Sequence, residues 1–161
     1  MPGRRTSPAH CHPHDAAGMK LFTLGFTQKT AETFFTILEN AGVTHLIDVR
    51  LHNVSQLAGF TKRDDLAYFA RTICKIPYTH MMDLAPTEEI LTAVKKSKGT
   101  WDAYEKKFND LMAARKVERL DRTAFDGACL LCSEPEPRHC HRRLVAEYLG
   151  RHWNGVSVTH L

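Results

Sequence analysis

The sequence predicts an α/β fold, a single three-layer domain in which helices flank a mainly parallel β-sheet. Short apolar segments typical of buried strands alternate along the chain with amphipathic segments whose apolar residues recur every three or four positions. The first strand, helix and strand together fill about 30 residues, which is the usual length of a βαβ unit. Strands that alternate with helices in this way favour a sheet of mainly parallel strands.

The first half of the chain predicts three strands and two helices. Thr30 is expected to cap the first helix, and Gly42 is expected to end it. The spacing of apolar residues between positions 66 and 73 predicts the second helix. Short apolar segments predict the strands, at residues 20–26, 45–50 and 77–80.

The second half of the chain predicts three more helices and two strands. Apolar residues at helical spacing mark a helix that ends near Gly99 and two more helices over 101–112 and 144–149. The segment 127–132 is too apolar for an edge strand, so we expect it to lie inside the sheet. Residues 155–159 predict the closing strand.

The composition is that of an ordinary globular protein. Of 161 residues, 43% are hydrophobic and 25% are charged, which excludes a disordered, collagen-like or coiled-coil protein. No apolar run approaches the roughly 20 residues that a membrane helix needs, so no membrane partner is expected. Five cysteines, three of them clustered late in the chain, do not form the pattern of a disulfide scaffold. We therefore predict a reduced, cytoplasmic protein.

Residues 1–19 differ in composition from everything that follows. They contain three prolines, small polar residues and a short tract rich in cysteine and histidine, without the apolar core of a secretory signal. We predict that they form a disordered extension. Residues 20–161 are then predicted to form the single α/β domain.

Polar and ionisable residues stand at the carboxyl ends of the predicted strands. In open α/β sheets this edge binds ligands, so the residues found there are candidate site residues. They are Thr27 after the first strand, Asp48 and Arg50 at the end of the second, Tyr78 and His80 at the third, and Cys132, Glu134, Cys140, His141 and Arg142 after the fourth. Their convergence at one edge predicts a functional site.

The loop over residues 132–143 carries the densest group of reactive side chains. Cys132 is the candidate nucleophile or redox thiol, and Glu134 and His141 are the candidate acid–base pair. Cys140 stands at the predicted start of a helix, where nearby positive charge is expected to lower the pKa of a thiol.

The remaining candidates are predicted to bind or orient the substrate. Arg50 and Arg142 are candidates for holding an anionic substrate group. Asp48 is equally suited to binding substrate and to pairing with Arg50. His80, Tyr78 and Thr27 complete the set as assisting or substrate-binding residues.

Two interpretations of the loop compete with thiol or acid–base catalysis. A metal site would draw on Cys132, Cys140 and His141, with zinc or iron as the ion, although we predict no cofactor. Cys129 is expected to point away from Cys132, because residues three apart in a strand lie on opposite faces. In the other interpretation the cysteines are structural, since free cysteine is often only a small buried hydrophobe.

The spacing of Cys132 and Arg138 allows one further interpretation, a rhodanese- or phosphatase-like thiol enzyme. In those enzymes a loop of this length between a strand and a helix cradles an oxyanion or carries a persulfide. Here Pro135 and Pro137 remove two of the backbone N–H groups that such a loop donates.

A set of motifs in this order resembles the family known as domain of unknown function 488. The motifs are Phe-Thr-Leu-Gly-Phe-Thr at 22–27, Leu-Ile-Asp-Val-Arg at 46–50, Phe60 with a following helix, Tyr-Thr-His at 78–80, and Cys-Ser-Glu at 132–134 with Cys-His-Arg at 140–142. The resemblance covers about residues 20–150 and implies an α/β domain with these polar groups at one site. It implies no reaction.

The chain departs from that family pattern in three loops. Thr27 stands where the family usually has a serine, and no proline follows the Asp-Val-Arg motif in residues 51–53. Leu84 and Ala85 stand where the family usually has a Leu-Gly pair. The Cys-x-Glu and Cys-His-Arg motifs are intact.

These observations predict an enzyme that acts on a phosphate-bearing substrate, with nucleic acid or a nucleotide as the leading candidate. The two arginines and a formal net charge of +4 favour such a substrate. The alternatives are a non-catalytic module that binds nucleic acid or protein, and a small metalloprotein. The sequence leaves the oligomeric state open.

Overall fold

The computed structural model of the chain describes residues 18–54, 58–96 and 100–161. The predicted disordered extension, except for its last two residues, lies outside the described residues. The strands are β1 (Met19–Gly25), β2 (His45–Asp48), β3 (Tyr78–His80), β4 (Ala128–Cys132) and β5 (Val156–His160). The helices are α1 (Ala31–Ala41), α2 (Arg63–Phe69), α3 (Glu88–Lys96), α4 (Trp101–Arg115) and α5 (His141–His152).

The five strands form one sheet in the order β3-β2-β4-β1-β5, and every neighbouring pair is parallel. The predicted α/β fold with a parallel sheet between helices is therefore confirmed. β4 is the central strand, so the prediction that it lies inside the sheet is confirmed, and all five of its residues are buried. Its backbone hydrogen-bonds to β1 on one side and to β2 on the other.

The sheet buries a separate hydrophobic cluster on each face. One cluster contains Leu130 and Cys132 of β4 together with residues of α4 and α5. The other contains Cys129 and Leu131 of β4 together with residues of α1 and α2. Cys129 and Cys132 thus lie on opposite faces of the sheet, as their spacing predicted.

The helical crossovers that follow β1 and β4 lie on opposite faces of the sheet. The chain leaves β1 through α1 toward β2 on one face, and it leaves β4 through α5 toward β5 on the other face. The carboxyl edge next to such a reversal of the connections is where ligands bind in open α/β sheets. This is the edge at which the sequence predicted the site.

Local sequence explains where the helices begin and end. The Thr30 hydroxyl accepts a hydrogen bond from the Thr33 N–H, and Gly42 ends α1 in the left-handed conformation at φ 68°. The predicted second helix is regular only to Phe69 and continues to Cys74 as a π-helical turn. Within the described residues, no helix combines the length and the apolar character required to cross a bilayer.

Candidate functional site

A cleft of about 350 Å³ opens at the carboxyl ends of β2 and β4. This volume is within the range of small-molecule sites. Its apolar residues are Leu51, Pro86, Leu91, Val94, Trp101 and Tyr104. Its polar residues are Arg50, His52, Ser133, Glu134 and His139. Two cysteines and a histidine, Cys132, Cys140 and His141, complete the lining.

A thiol and an imidazole face each other in this cleft. Cys132 is the last residue of β4 and His141 is the first residue of α5, and the Cys132 Sγ lies 3.7 Å from Nδ1 of His141. The other ring nitrogen, Nε2, is 2.7 Å from the Val49 carbonyl oxygen. A carbonyl oxygen only accepts, so Nε2 carries a hydrogen and Nδ1 is the nitrogen available to accept a proton. The Cys132 sulfur lies beside the ring, at a similar distance from Nε2, 3.9 Å.

The two cysteines of the cleft differ in acidity. The S–H of Cys140 donates a hydrogen bond to Cys132 and lowers the pKa of the Cys132 thiol, and the pKa stays below its ordinary value despite burial. The same hydrogen bond, together with burial, raises the pKa of Cys140 well above its ordinary value. The expected low pKa at the helix start is therefore wrong for Cys140, because that thiol is the donor to its neighbour.

Backbone groups and a buried cation also favour the Cys132 thiolate. The backbone N–H groups of Ser133 and Glu134 donate to its sulfur, and the charge of Arg142 acts in the same direction. Arg142 is 1% exposed. Its Nη1 donates to the Glu134 carbonyl at 2.6 Å and its Nη2 donates to the Pro135 carbonyl at 3.3 Å. The guanidinium thus holds the loop after β4 in place.

A buried ion pair supports the loop after β2. Arg50 donates from Nε and Nη2 to the two carboxylate oxygens of Asp48, at 2.9 and 2.8 Å. Burial would raise the pKa of Asp48, but the hydrogen bonds and charge of Arg50 outweigh it and hold that pKa below its ordinary value. The Tyr78 hydroxyl and the Asn53 amide donate to the same carboxylate, at 2.5 and 3.2 Å.

The two arginines predicted to hold an anion, Arg50 and Arg142, bond instead to groups of the protein itself. Arg50 pairs with Asp48 and donates its remaining Nη2 hydrogen to the Thr61 carbonyl at 2.8 Å. Its Nη1 is buried and has no partner among the described residues. Arg142 bonds to loop carbonyls, and its Nε lies 3.4 Å from the Thr23 hydroxyl. The interpretation of Asp48 and Arg50 as an ion pair is confirmed.

The other predicted residues have different positions around the cleft. The Glu134 side chain is exposed and lines the cleft, while the group that orients His141 is the Val49 carbonyl. His80 contacts the Arg50 carbonyl through Nε2 at 2.7 Å. The Thr27 hydroxyl donates to the Ser133 carbonyl at 2.5 Å. His80 and Thr27 thus hold the loops after β2 and β4, and Arg138 is exposed.

Two features of the site were missed from the sequence. Trp101 and Tyr104 have helical spacing and were left out of the candidate site, yet their stacked rings, 4.8 Å apart, form part of the cleft wall. Gly25 allows the loop after β4 to approach β1, because a Cβ there would lie 1.7 Å from the Glu134 carbonyl oxygen. A glycine at a strand end is the only local signal of such a close approach.

Three side chains of the cleft have the chemistry to hold a metal ion. The ligand atoms of Cys132, Cys140 and His141 all lie within 4.8 Å of one another. Cys140 is extended, with φ −133° and ψ 137°, immediately before α5 begins. This change of backbone conformation lets adjacent Cys140 and His141 point to one place. Cys129 lies on the other face of the sheet and does not join them.

The fold and site define an α/β protein with a buried thiol–imidazole pair in a cleft at the carboxyl edge of its sheet. The family model described as Domain of unknown function DUF488 matches residues 30–149. The chain therefore belongs to this family, as the motifs indicated. No curated protein and no solved structure matches the chain.

Replacement of Gly25 by alanine is expected to destabilise the protein by about 3 kcal/mol, because the added methyl group displaces the loop after β4. Urea unfolding of Gly25→Ala measures the loss. Gly59→Ala is the control, since a Cβ at Gly59 meets nothing within 4 Å. Equal stability of the two variants would show that the loop does not depend on this close approach.

Replacement of Asp48 by asparagine is expected to lower the free energy of unfolding at neutral pH by about 3 kcal/mol, because it leaves the Arg50 cation buried without a counter-charge. The pKa of Asp48 is lowered in the folded protein, so its stabilisation is full above the unfolded-state pKa and is lost as pH falls through the folded-state pKa. Urea unfolding from neutral pH to about pH 3 should therefore show a shallower acid dependence in Asp48→Asn than in the wild type.

The control for this experiment is Asp64→Asn, which removes a carboxylate from an exposed ion pair with Arg63. Its stability should stay within about 0.5 kcal/mol of the wild type. A stability profile of Asp48→Asn that matches this control at every pH would contradict the role of the buried pair.

Proposed function

We propose that this protein is an enzyme in which Cys132 is the nucleophile and His141 is the general acid and base. The observation that supports it is the Cys132–His141 pair itself, with Sγ 3.7 Å from Nδ1 at the lining of a cleft of small-molecule size. The hydrogen bond from Nε2 to the Val49 carbonyl supports the assignment, because it leaves Nδ1 as the ring nitrogen that can take a proton.

The reaction begins when Nδ1 of His141 takes the Cys132 proton. The Val49 carbonyl stabilises the resulting imidazolium through its hydrogen bond to Nε2–H. The backbone N–H groups of Ser133 and Glu134 stabilise the thiolate. The thiolate then forms a bond to an electrophilic atom of the substrate, and His141 returns the proton to the leaving group.

The walls of the cleft favour a small amphipathic substrate. Leu91, Val94 and the stacked Trp101 and Tyr104 give the cleft an apolar surface. The polar residues of the cleft offer hydrogen bonds, and two of them, Ser133 and Glu134, directly follow Cys132 in the sequence. A phosphate-bearing or nucleic-acid substrate stays a prediction.

The proposal predicts that iodoacetamide at neutral pH alkylates Cys132 at least about tenfold faster than Cys129, because only the former lines the cleft and faces a base. Labelling is followed peptide by peptide by mass spectrometry. The buried Cys129, on the same strand, is the internal reference.

His141→Asn should slow the alkylation of Cys132 by about tenfold, because the variant removes the base. The matched control is His139→Asn, which changes an exposed histidine of the same cleft, with its ring 5.1 Å from the ring of Trp101. Equal rates for Cys132 and Cys129, or equal effects of the two histidine variants, would overturn the proposal.

A metal-dependent enzyme is the second candidate, favoured by the clustering of three ligand atoms within 4.8 Å. Two thiolates and an imidazole are a donor set that suits zinc, with a fourth position open toward the cleft. The Val49 carbonyl would then serve as the outer partner that fixes the ring of His141. In this alternative Cys132 is a ligand and is not the nucleophile.

Metal content separates the two candidates. The metal alternative predicts about one zinc or iron ion per chain in protein purified without a metal-affinity column. Cys140→Ser should lose that ion, whereas Cys129→Ser, which changes a buried thiol on the other face, should retain it. Metal far below one ion per chain would exclude the alternative and leave the thiol enzyme.

A further inference from the structure

The cleft contains a second thiol that nucleophilic catalysis by Cys132 and His141 does not use. Cys140 is buried, lies in the same hydrophobic cluster as Cys132, and lines the same cleft. The sulfur atoms of the two cysteines are less than 4.8 Å apart. Because Cys140 precedes α5 in an extended conformation, its side chain is not part of the regular helix.

We propose that Cys132 and Cys140 form a reversible disulfide and that the site exchanges with a low-molecular-weight disulfide in the cleft. This inference rests on the proposed function of Cys132 as the reactive thiol. It adds the class of substrate, a small disulfide. It also assigns Cys140 as the resolving thiol, which attacks the mixed disulfide on Cys132.

Position assigns different roles to the two thiols. Cys132 ends β4 with its Sγ 3.7 Å from Nδ1 of His141, so it is the thiol whose proton His141 takes in the proposed function, and it attacks first. Cys140 keeps its proton until the sulfur of Cys132 has become part of a disulfide and no longer carries charge.

The reaction consists of two balanced exchange steps. The Cys132 thiolate attacks one sulfur of the small disulfide RSSR, so that a mixed disulfide Cys132–SR forms and RS⁻ leaves with the Cys132 proton as RSH. The Cys140 thiol then transfers its proton to His141 and attacks the Cys132 sulfur. The second RS⁻ leaves and takes that proton as RSH. The two cysteine thiols are oxidised and RSSR is reduced to two RSH; a small thiol reverses both steps.

The geometry restricts this pairing to one partner among the described cysteines. Cys129 and Cys74 belong to the hydrophobic cluster on the opposite face of the sheet. The sheet separates both of these thiols from Cys132. The disulfide that forms should therefore join Cys132 to Cys140.

The test exposes the full-length protein to hydroxyethyl disulfide and maps the products by mass spectrometry after acid quenching. The wild type should yield the Cys132–Cys140 disulfide and little mixed disulfide. Cys140→Ser lacks the resolving thiol and should accumulate at least about tenfold more mixed disulfide on Cys132 than the wild type. Cys132→Ser should form neither product on Cys140, and Cys129→Ser, the matched buried control, should behave as the wild type.

A second variant, Cys140→Ala, is tested in the same way, and thermal unfolding is measured for each protein. These controls show whether the absence of a product is caused by loss of the folded structure. The proposal is overturned if folded Cys140→Ser and the wild type carry the same amount of mixed disulfide, or if neither carries any. In that case, rapid alkylation of Cys132 by iodoacetamide leaves the proposed thiol enzyme standing. If Cys132 reacts with neither reagent, both proposals fail.

Discussion

The buried guanidinium of Arg142 is the constraint on which the site depends. A cation that is 1% exposed must replace its lost water with protein acceptors, and within the described residues no carboxylate forms a salt bridge with it. It takes the carbonyls of Glu134 and Pro135 instead, so the loop after β4 adopts the path that brings those oxygens to it. The same path turns the N–H groups of Ser133 and Glu134 toward Cys132.

The uncompensated charge of Arg142 also explains the electrostatics of the site. It favours the thiolate of Cys132 and disfavours the protonated forms of Lys29 and His160, whose pKa values are lowered by burial and then by this charge. Asp48 and Arg50 behave differently, because their charges cancel within a bidentate pair. The site therefore combines a pair of cancelling charges, Asp48 and Arg50, at the end of β2 with the positive charge of Arg142 beside the loop after β4.

The sequence predicted which edge of the sheet carries the site. It did not predict the roles of the individual residues within that site. Alternating segments and polar residues at strand ends follow from backbone periodicity, which is local in the sequence. The roles of Arg50 and Arg142 depend on which acceptors lie within reach, and these come from Thr61, Thr23 and the loop after β4. The acidity of Cys140 likewise depends on one neighbouring thiol, eight residues earlier in the chain.

The sequence by itself determined the α/β class, the interior position of β4 in the sheet, the opposite faces of Cys129 and Cys132, and the family. Each of these follows from residue type and spacing alone. Only the tertiary structure decided that α1 and α5 leave neighbouring strands on opposite faces, that Val49 orients His141, and that Trp101 and Tyr104 form a wall of the cleft. Such contacts join residues far apart in the chain. Their energies depend on tertiary packing, which local sequence patterns do not predict.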